Sequence, residues 1–144
     1  MLYGTSSADW DLRQFHAGAG AIAYTLQKMD QTFFLDDRGL TSLFTVQYFG
    51  DFQSAVASDK IDPYIQSQKE NSVGSMKVRG KNQYRIFFND KTGLAMTFIN
   101  KKNQGIMPFT MSDQVTCLAS VEDENGFEVL YGGFDDGYVR RLDS

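Results

Sequence analysis

Histidine and cysteine each occur once in this 144-residue chain, as His16 and Cys117, and proline occurs only twice. A single cysteine cannot close an intrachain disulfide, which excludes a disulfide-stapled secreted module. One His and one Cys cannot furnish the nitrogen and sulfur ligands of an ordinary zinc site. A Ser-His-Asp arrangement would have to use His16, and nothing in Arg13-Gln14-Phe15-His16 sets a nucleophile beside it, so a surface histidine is expected. Cys117 would need an activating base to act as a nucleophile. In Val115-Thr116-Cys117-Leu118-Ala119, strict alternation puts Val115, Cys117 and Ala119 on one face, and a small buried hydrophobe is expected there. These absences predict no catalytic residue, no bound cofactor and no metal site.

Positive charge is also scarce. Fourteen Lys and Arg stand against eighteen Asp and Glu, a net charge of −4 and a pI near 4.9, so no broad basic field is available to grip phosphates. A local basic strip is available at Lys77, Arg79, Lys81 and Arg85, whose odd spacing shares one face of an extended strand; a solvated face is the simpler expectation. The chain has no run of 18 apolar residues and no charged-then-apolar leader, so neither a membrane span nor a signal peptide is expected.

What the chain does have is apolar and aromatic content, 42% and 14%, enough to build a core in a single domain. Three related stretches carry it: Thr32 to Leu40, Arg85 to Leu94 and Val129 to Tyr138, each an apolar strand, an acidic turn, a glycine and a returning strand. Gly39, Gly93 and Gly137 stand 54 and 44 positions apart, a spacing in the range of a β-propeller blade. A weaker fourth copy opens the chain, where Leu2-Tyr3-Gly4 matches Leu130-Tyr131-Gly132 and Trp10 to Arg13 falls where Tyr138 to Arg141 falls. Propellers typically close with about four or more blades. At this spacing 144 residues make about three. The expectation is one propeller-like domain or fragment over 1–144, partial or completed by a neighbour, because an open array leaves strand edges to be paired or blunted.

The chain between the copies reads in the same terms. Gly18-Ala19-Gly20-Ala21 is a loop feeding a strand, without the third glycine or Lys-Ser/Thr of a phosphate loop. A helical insertion is expected near 51–70. There Asp62 would cap, Pro63 would take the first helical position, and Ile61, Tyr64 and Ile65 would lie on the sheets. Strands are expected at about 75–80, 83–89, 94–100, 105–109, 115–121, 127–133 and 137–142. Asn125-Gly126 and Asp136-Gly137 mark hairpin turns that make the last three strands a meander. In 83–88, Tyr84, Ile86 and Phe88 oppose Arg85 and Phe87; in 94–99, Leu94, Met96 and Phe98 oppose Ala95, Thr97 and Ile99. Neither face is cleanly polar, the mark of a sheet packed on both sides. The acidic turns Asp36-Asp37, Asn89-Asp90 and Asp135-Asp136 lack the spacing of a twelve-residue calcium loop, and backbone capping is their expected work. Tyr48, Phe49, Phe52 and Phe109 are aromatics that could meet a partner chain, with core packing the simpler expectation.

The run Gly80 to Asp90, with Gly93-Leu94, Gly105-Ile106-Met107-Pro108, Val115-Thr116-Cys117, Glu122 to Gly126 and Phe134 to Val139, resembles the propeller region of tailed-bacteriophage virion proteins. The group is the tail tube or nozzle type and related packaged-DNA stabilisation proteins, and the likeness covers most of 30–143. It implies a non-enzymatic structural component of the virion tail, neck or nozzle, made in the host cytoplasm. It further implies a homo-oligomer joined to other virion proteins, with passive contact with DNA in a channel. An acidic lumen would suit that role. The alternatives are a propeller that presents loops to a protein or glycan, and a propeller glycoside hydrolase, which would require two carboxylates converging on a cleft.

Overall fold

A computed structural model describes residues 2–12, 20–43, 61–99 and 102–143. The calls on His16, Gly18-Ala19, Tyr48, Phe49, Phe52 and the 51–60 part of the helical insertion lie outside them. The described chain is mainly β with one short α-helix. Its strands are β1 (Leu2–Tyr3), β2 (Asp11–Leu12), β3 (Gln27–Lys28), β4 (Thr32–Asp36), β5 (Gly39–Ser42), β6 (Ser72–Val78), β7 (Gln83–Phe88), β8 (Thr92–Ile99), β9 (Lys102–Thr110), β10 (Val115–Glu122), β11 (Glu128–Phe134) and β12 (Val139–Leu142); helix α1 spans Asp62–Gln68. All pairing is antiparallel between consecutive strands: a ribbon β1-β2 and three meanders, β3-β4-β5, β6-β7-β8-β9 and β10-β11-β12. Among the described residues no sheet closes into a barrel.

The meanders follow from the turns. At four of them a carboxylate accepts the backbone N–H two residues on, which fixes the chain reversal. Asp36 Oδ1 accepts from Arg38 N at 2.9 Å and Gly39 N at 3.0 Å, Asp90 Oδ1 from Thr92 N at 3.0 Å, Asp123 Oδ1 from Asn125 N at 2.9 Å, and Asp136 Oδ1 from Tyr138 N at 3.0 Å. Gly39 and Gly137 adopt positive φ, +142° and +85°, as turn glycines should. Gly93 does not. In its turn the left-handed residue is Lys91, φ +69°, and Gly93 sits within β8 under the Phe109 ring. The three glycines therefore mark corresponding places for two different reasons.

The sheets stack. Tyr84, Ile86, Phe88, Leu94, Met96 and Phe98 from the four-stranded sheet meet Phe33, Leu35 and Leu40 of β4-β5 in one core. The opposite face supplies Met76, Val78 and Phe87 to a second core with Val115, Leu130, Phe134 and Leu142 of β10–β12. The central sheet is thus covered on both sides, as its two apolar faces require. Phe109 packs edge-on against Phe87, centroids 5.2 Å apart, and so belongs to the core rather than to a partner surface.

Helix α1 lays Ile61, Tyr64 and Ile65 on the first core, with Ile65 fully buried. Its cap differs from expectation. Ile61 stands at the N-cap without a side-chain bond, and Asp62 and Pro63 occupy the first turn; proline's missing N–H costs nothing at either of those positions. Gln68 Nε2 donates to Asp90 Oδ2 at 2.8 Å, tying the helix end to the β7-β8 turn.

Candidate functional site

Two surfaces stand out, and both arise from how the meanders are placed. The first is a groove along the opening strands of the three sheets. Ser75 N in β6 donates to Tyr24 O at 2.9 Å, and Gln27 Nε2 in β3 donates to Ser75 O at 2.9 Å, so β6 lies beside the segment 24–27. β10 flanks β6 on the other side. Between them runs a hollow of about 610 Å³ bordered by Tyr24, Leu26, Gly74, Thr116, Cys117 and Leu118, continuing into one of about 300 Å³ at Lys77, Arg79, Ser120 and Glu128. Tyr24 is 82% exposed with φ +62°, an unusual backbone for an aromatic residue. The lining is chiefly uncharged, so the chain's negative charge is not gathered here. Among the described residues Glu128 is the single carboxylate bordering either part, and it is bonded to Arg79.

The expected basic strip does not exist as a face. Lys77 stands opposite Tyr84 and Arg85 opposite Met76, on opposite sides of the sheet. Arg79 and Lys81 lie past the end of β6. Three of these cations have a carboxylate: Arg79 pairs with Glu122 at 2.7 Å and Glu128 at 3.3 Å, while Lys81 and Arg85 converge on Asp143 at 2.9 and 2.6 Å. The Arg85 guanidinium holds the Asp143 carboxyl below its usual range against partial burial, with Lys81 assisting. Burial pushes Glu128 upward, but the Gly80 N–H, the Ser120 hydroxyl and Arg79 outweigh it and leave the carboxyl depressed. These groups clamp the last meander to the central sheet, across the second core.

The second surface is the outer face of β10–β12. Cys117 belongs to it, and is exposed rather than buried. The cause is a β-bulge: Val115 pairs with Phe134 and Cys117 with Gly133, so two positions on β10 advance against one on β11 and the alternation flips. Val115 keeps the core face; Cys117 turns outward over Gly133, where an added Cβ would lie 2.6 Å from its Sγ. The rows of this face are Cys117-Gly133-Val139, Ala119-Tyr131-Arg141 and Val121-Val129. Val139 is 71% exposed, Val121 46% and Tyr131 36%. No sign of the bulge is present in the sequence, because the residues around it alternate as a regular strand would.

Among the described residues no group of three or more His, Cys, Asp or Glu is placed to hold a metal ion, and no helix is long and apolar enough to cross a membrane. Compared with protein-family models, curated proteins and solved structures, the chain matches none.

Proposed function

We propose that this chain is a structural, non-catalytic module made of β-propeller blades, which assembles with further copies of itself around a central channel. The observation that carries this reading is the order of the sheets. Three consecutive antiparallel meanders stack face to face, and their opening strands, β3, β6 and β10, lie side by side along one groove. Propeller blades are arranged in this way, with first strands toward the axis. The virion tail, neck or nozzle is the setting the sequence resemblance suggests, with other virion proteins as neighbours. DNA passing such a channel would meet a mostly uncharged polar lining, which neither binds phosphates tightly nor repels them strongly.

A second reading, a blade module that binds a protein or glycan in the groove, draws support from the exposure of Tyr24 and Leu26 beside it. Light scattering on the purified chain over a range of concentrations separates the two. The assembly reading predicts a discrete multiple of 16.2 kDa. A folded monomer at every concentration contradicts it and favours the groove.

A further inference from the structure

We propose that the hollow between β7–β9 and the end of β12 is a binding site for a small organic acid, taken up with its acid group on Lys81 and Arg85 and its apolar body along the face of β8. The site goes beyond assembly and belongs to a single copy of the chain.

The hollow begins in the register of the central sheet. On the face that bears the second core, Arg85 stands opposite Ala95 and Ala95 opposite Met107; the rows on either side read Phe87-Gly93-Phe109 and Gln83-Thr97-Gly105. Partners directly across an antiparallel pair share a face, so β8 presents Gly93, Ala95 and Thr97 between the larger side chains of β7 and β9. Small residues between bulkier flanks make a trough. Phe109 closes it at Gly93, where its ring takes the place a Cβ would need, and at the other end Gly105 leaves the space open. Leu142 of β12 supplies the facing wall, with Asp143 just past it. The result is a hollow of about 360 Å³ bordered along its length by Phe87, Ala95, Met107, Phe109, Met111 and Leu142. That lies within the range of about 300–1,000 Å³ usual for small-molecule sites, and two methionines give it adaptable apolar walls.

Charge chooses the ligand. The same hollow is bordered by Lys81, Arg85 and Asp143, two cations against one carboxylate, so it carries a surplus positive charge in a chain whose total is −4. Arg85 is held in place: Gln83 Oε1 accepts from its Nε at 3.0 Å and its Nη2 at 2.8 Å, and Asp143 Oδ1 accepts from its Nη1 at 2.6 Å. A guanidinium has five N–H groups, and these bonds use three, leaving one on each terminal nitrogen. Lys81 Nζ gives one of its three to Asp143 Oδ2 at 2.9 Å. Both cations therefore keep donors for a second acid group beside the carboxylate they already hold. The Arg85 side chain is only 12% exposed, so its charge is less screened than one on open surface. A surplus of one charge suits a monoanion, a carboxylate or sulfonate, and the walls behind it suit a hydrocarbon or aromatic body.

Backbone amide NMR of the purified chain tests this, with octanoate as the probe and 1-octanol as its uncharged counterpart. Octanoate should move the signals of Arg85, Ala95 and Met107 along one saturable curve, and octanol should bind about tenfold more weakly for want of the charged hydrogen bonds. Lys81→Gln removes the surplus charge at an exposed position and leaves the Arg85–Asp143 pair in place; it should weaken octanoate several-fold and octanol not at all. Met107→Asp, also exposed, puts a negative charge on the apolar wall and should weaken both. Equal binding of octanoate and octanol, octanoate binding indifferent to both variants, or no saturable shift at these three amides would each overturn the proposal.

Discussion

The Phe109 ring lies over Gly93 so closely that a Cβ built on the glycine would stand 2.7 Å from the ring's Cε2 and 2.7 Å from the carbonyl oxygen of Ile86. One of those neighbours is backbone and the other is wedged against Phe87, so neither yields readily. Gly93→Ala should cost about 1–3 kcal/mol by overpacking. Gly105→Ala on the facing strand meets nothing within 4 Å and should be near neutral. Gly133→Ala meets the Cys117 thiol, which can rotate away, and should fall between the two. Urea unfolding of the three variants checks the order.

Tyr84 is fully buried and its hydroxyl donates to the Thr25 carbonyl oxygen at 2.8 Å, pinning the loop before β3 to the central sheet. Burial raises the phenol's pKa well beyond its usual range, so it stays a neutral donor. Tyr84→Phe should lose about 1–3 kcal/mol, since the Thr25 carbonyl is left without that bond. The loss should appear as faster amide exchange around residues 22–28 as well as a lower Tm.

Carboxylates set the acid limit. Asp90, Glu128, Asp136 and Asp143 all have depressed pKa values, from the Thr92 hydroxyl, the bonds around Glu128, Arg140, and Arg85 with Lys81 respectively. A depressed folded-state value means that the stabilisation is complete above the unfolded carboxylate range, near pH 4, and is lost as pH falls through the lower folded values. Stability should be level from about pH 5 to 8 and decline below about 4. Asp143→Asn should lower the plateau and shallow the decline, which a series of urea titrations would record.

Helix α1 is held by one fully buried side chain. Ile65→Ala should destabilise by about 2–5 kcal/mol, because the space opens onto the first core between two sheets and cannot collapse. Thermal unfolding by circular dichroism gives the value.

Much of this fold could be read from local chemistry. The alternation of Tyr84, Ile86 and Phe88 against Arg85 and Phe87 located a sheet with two apolar faces, and Asn125-Gly126 and Asp136-Gly137 located the closing meander, because turn residues and strand period act over only a few positions. What stayed hidden depends on longer range. The bulge after Val115 is fixed by pairing with Phe134 and Gly133, and it turned Cys117 from the core to the surface. Gly93 reads as a turn glycine until Phe109, sixteen positions on, is seen to fill its space. The basic residues from Lys77 to Arg85 form a stripe only if one strand carries them all, and β6 ends at Val78. The groove could not be seen in advance, since it depends on how separate sheets are set against one another.

The most direct test of the account is an electron-microscopy reconstruction of the purified protein at a resolution that traces strands. The account predicts a symmetric assembly in which β6 and β10 line the central channel. A monomer, or an assembly with β6 and β10 on its periphery, would contradict it.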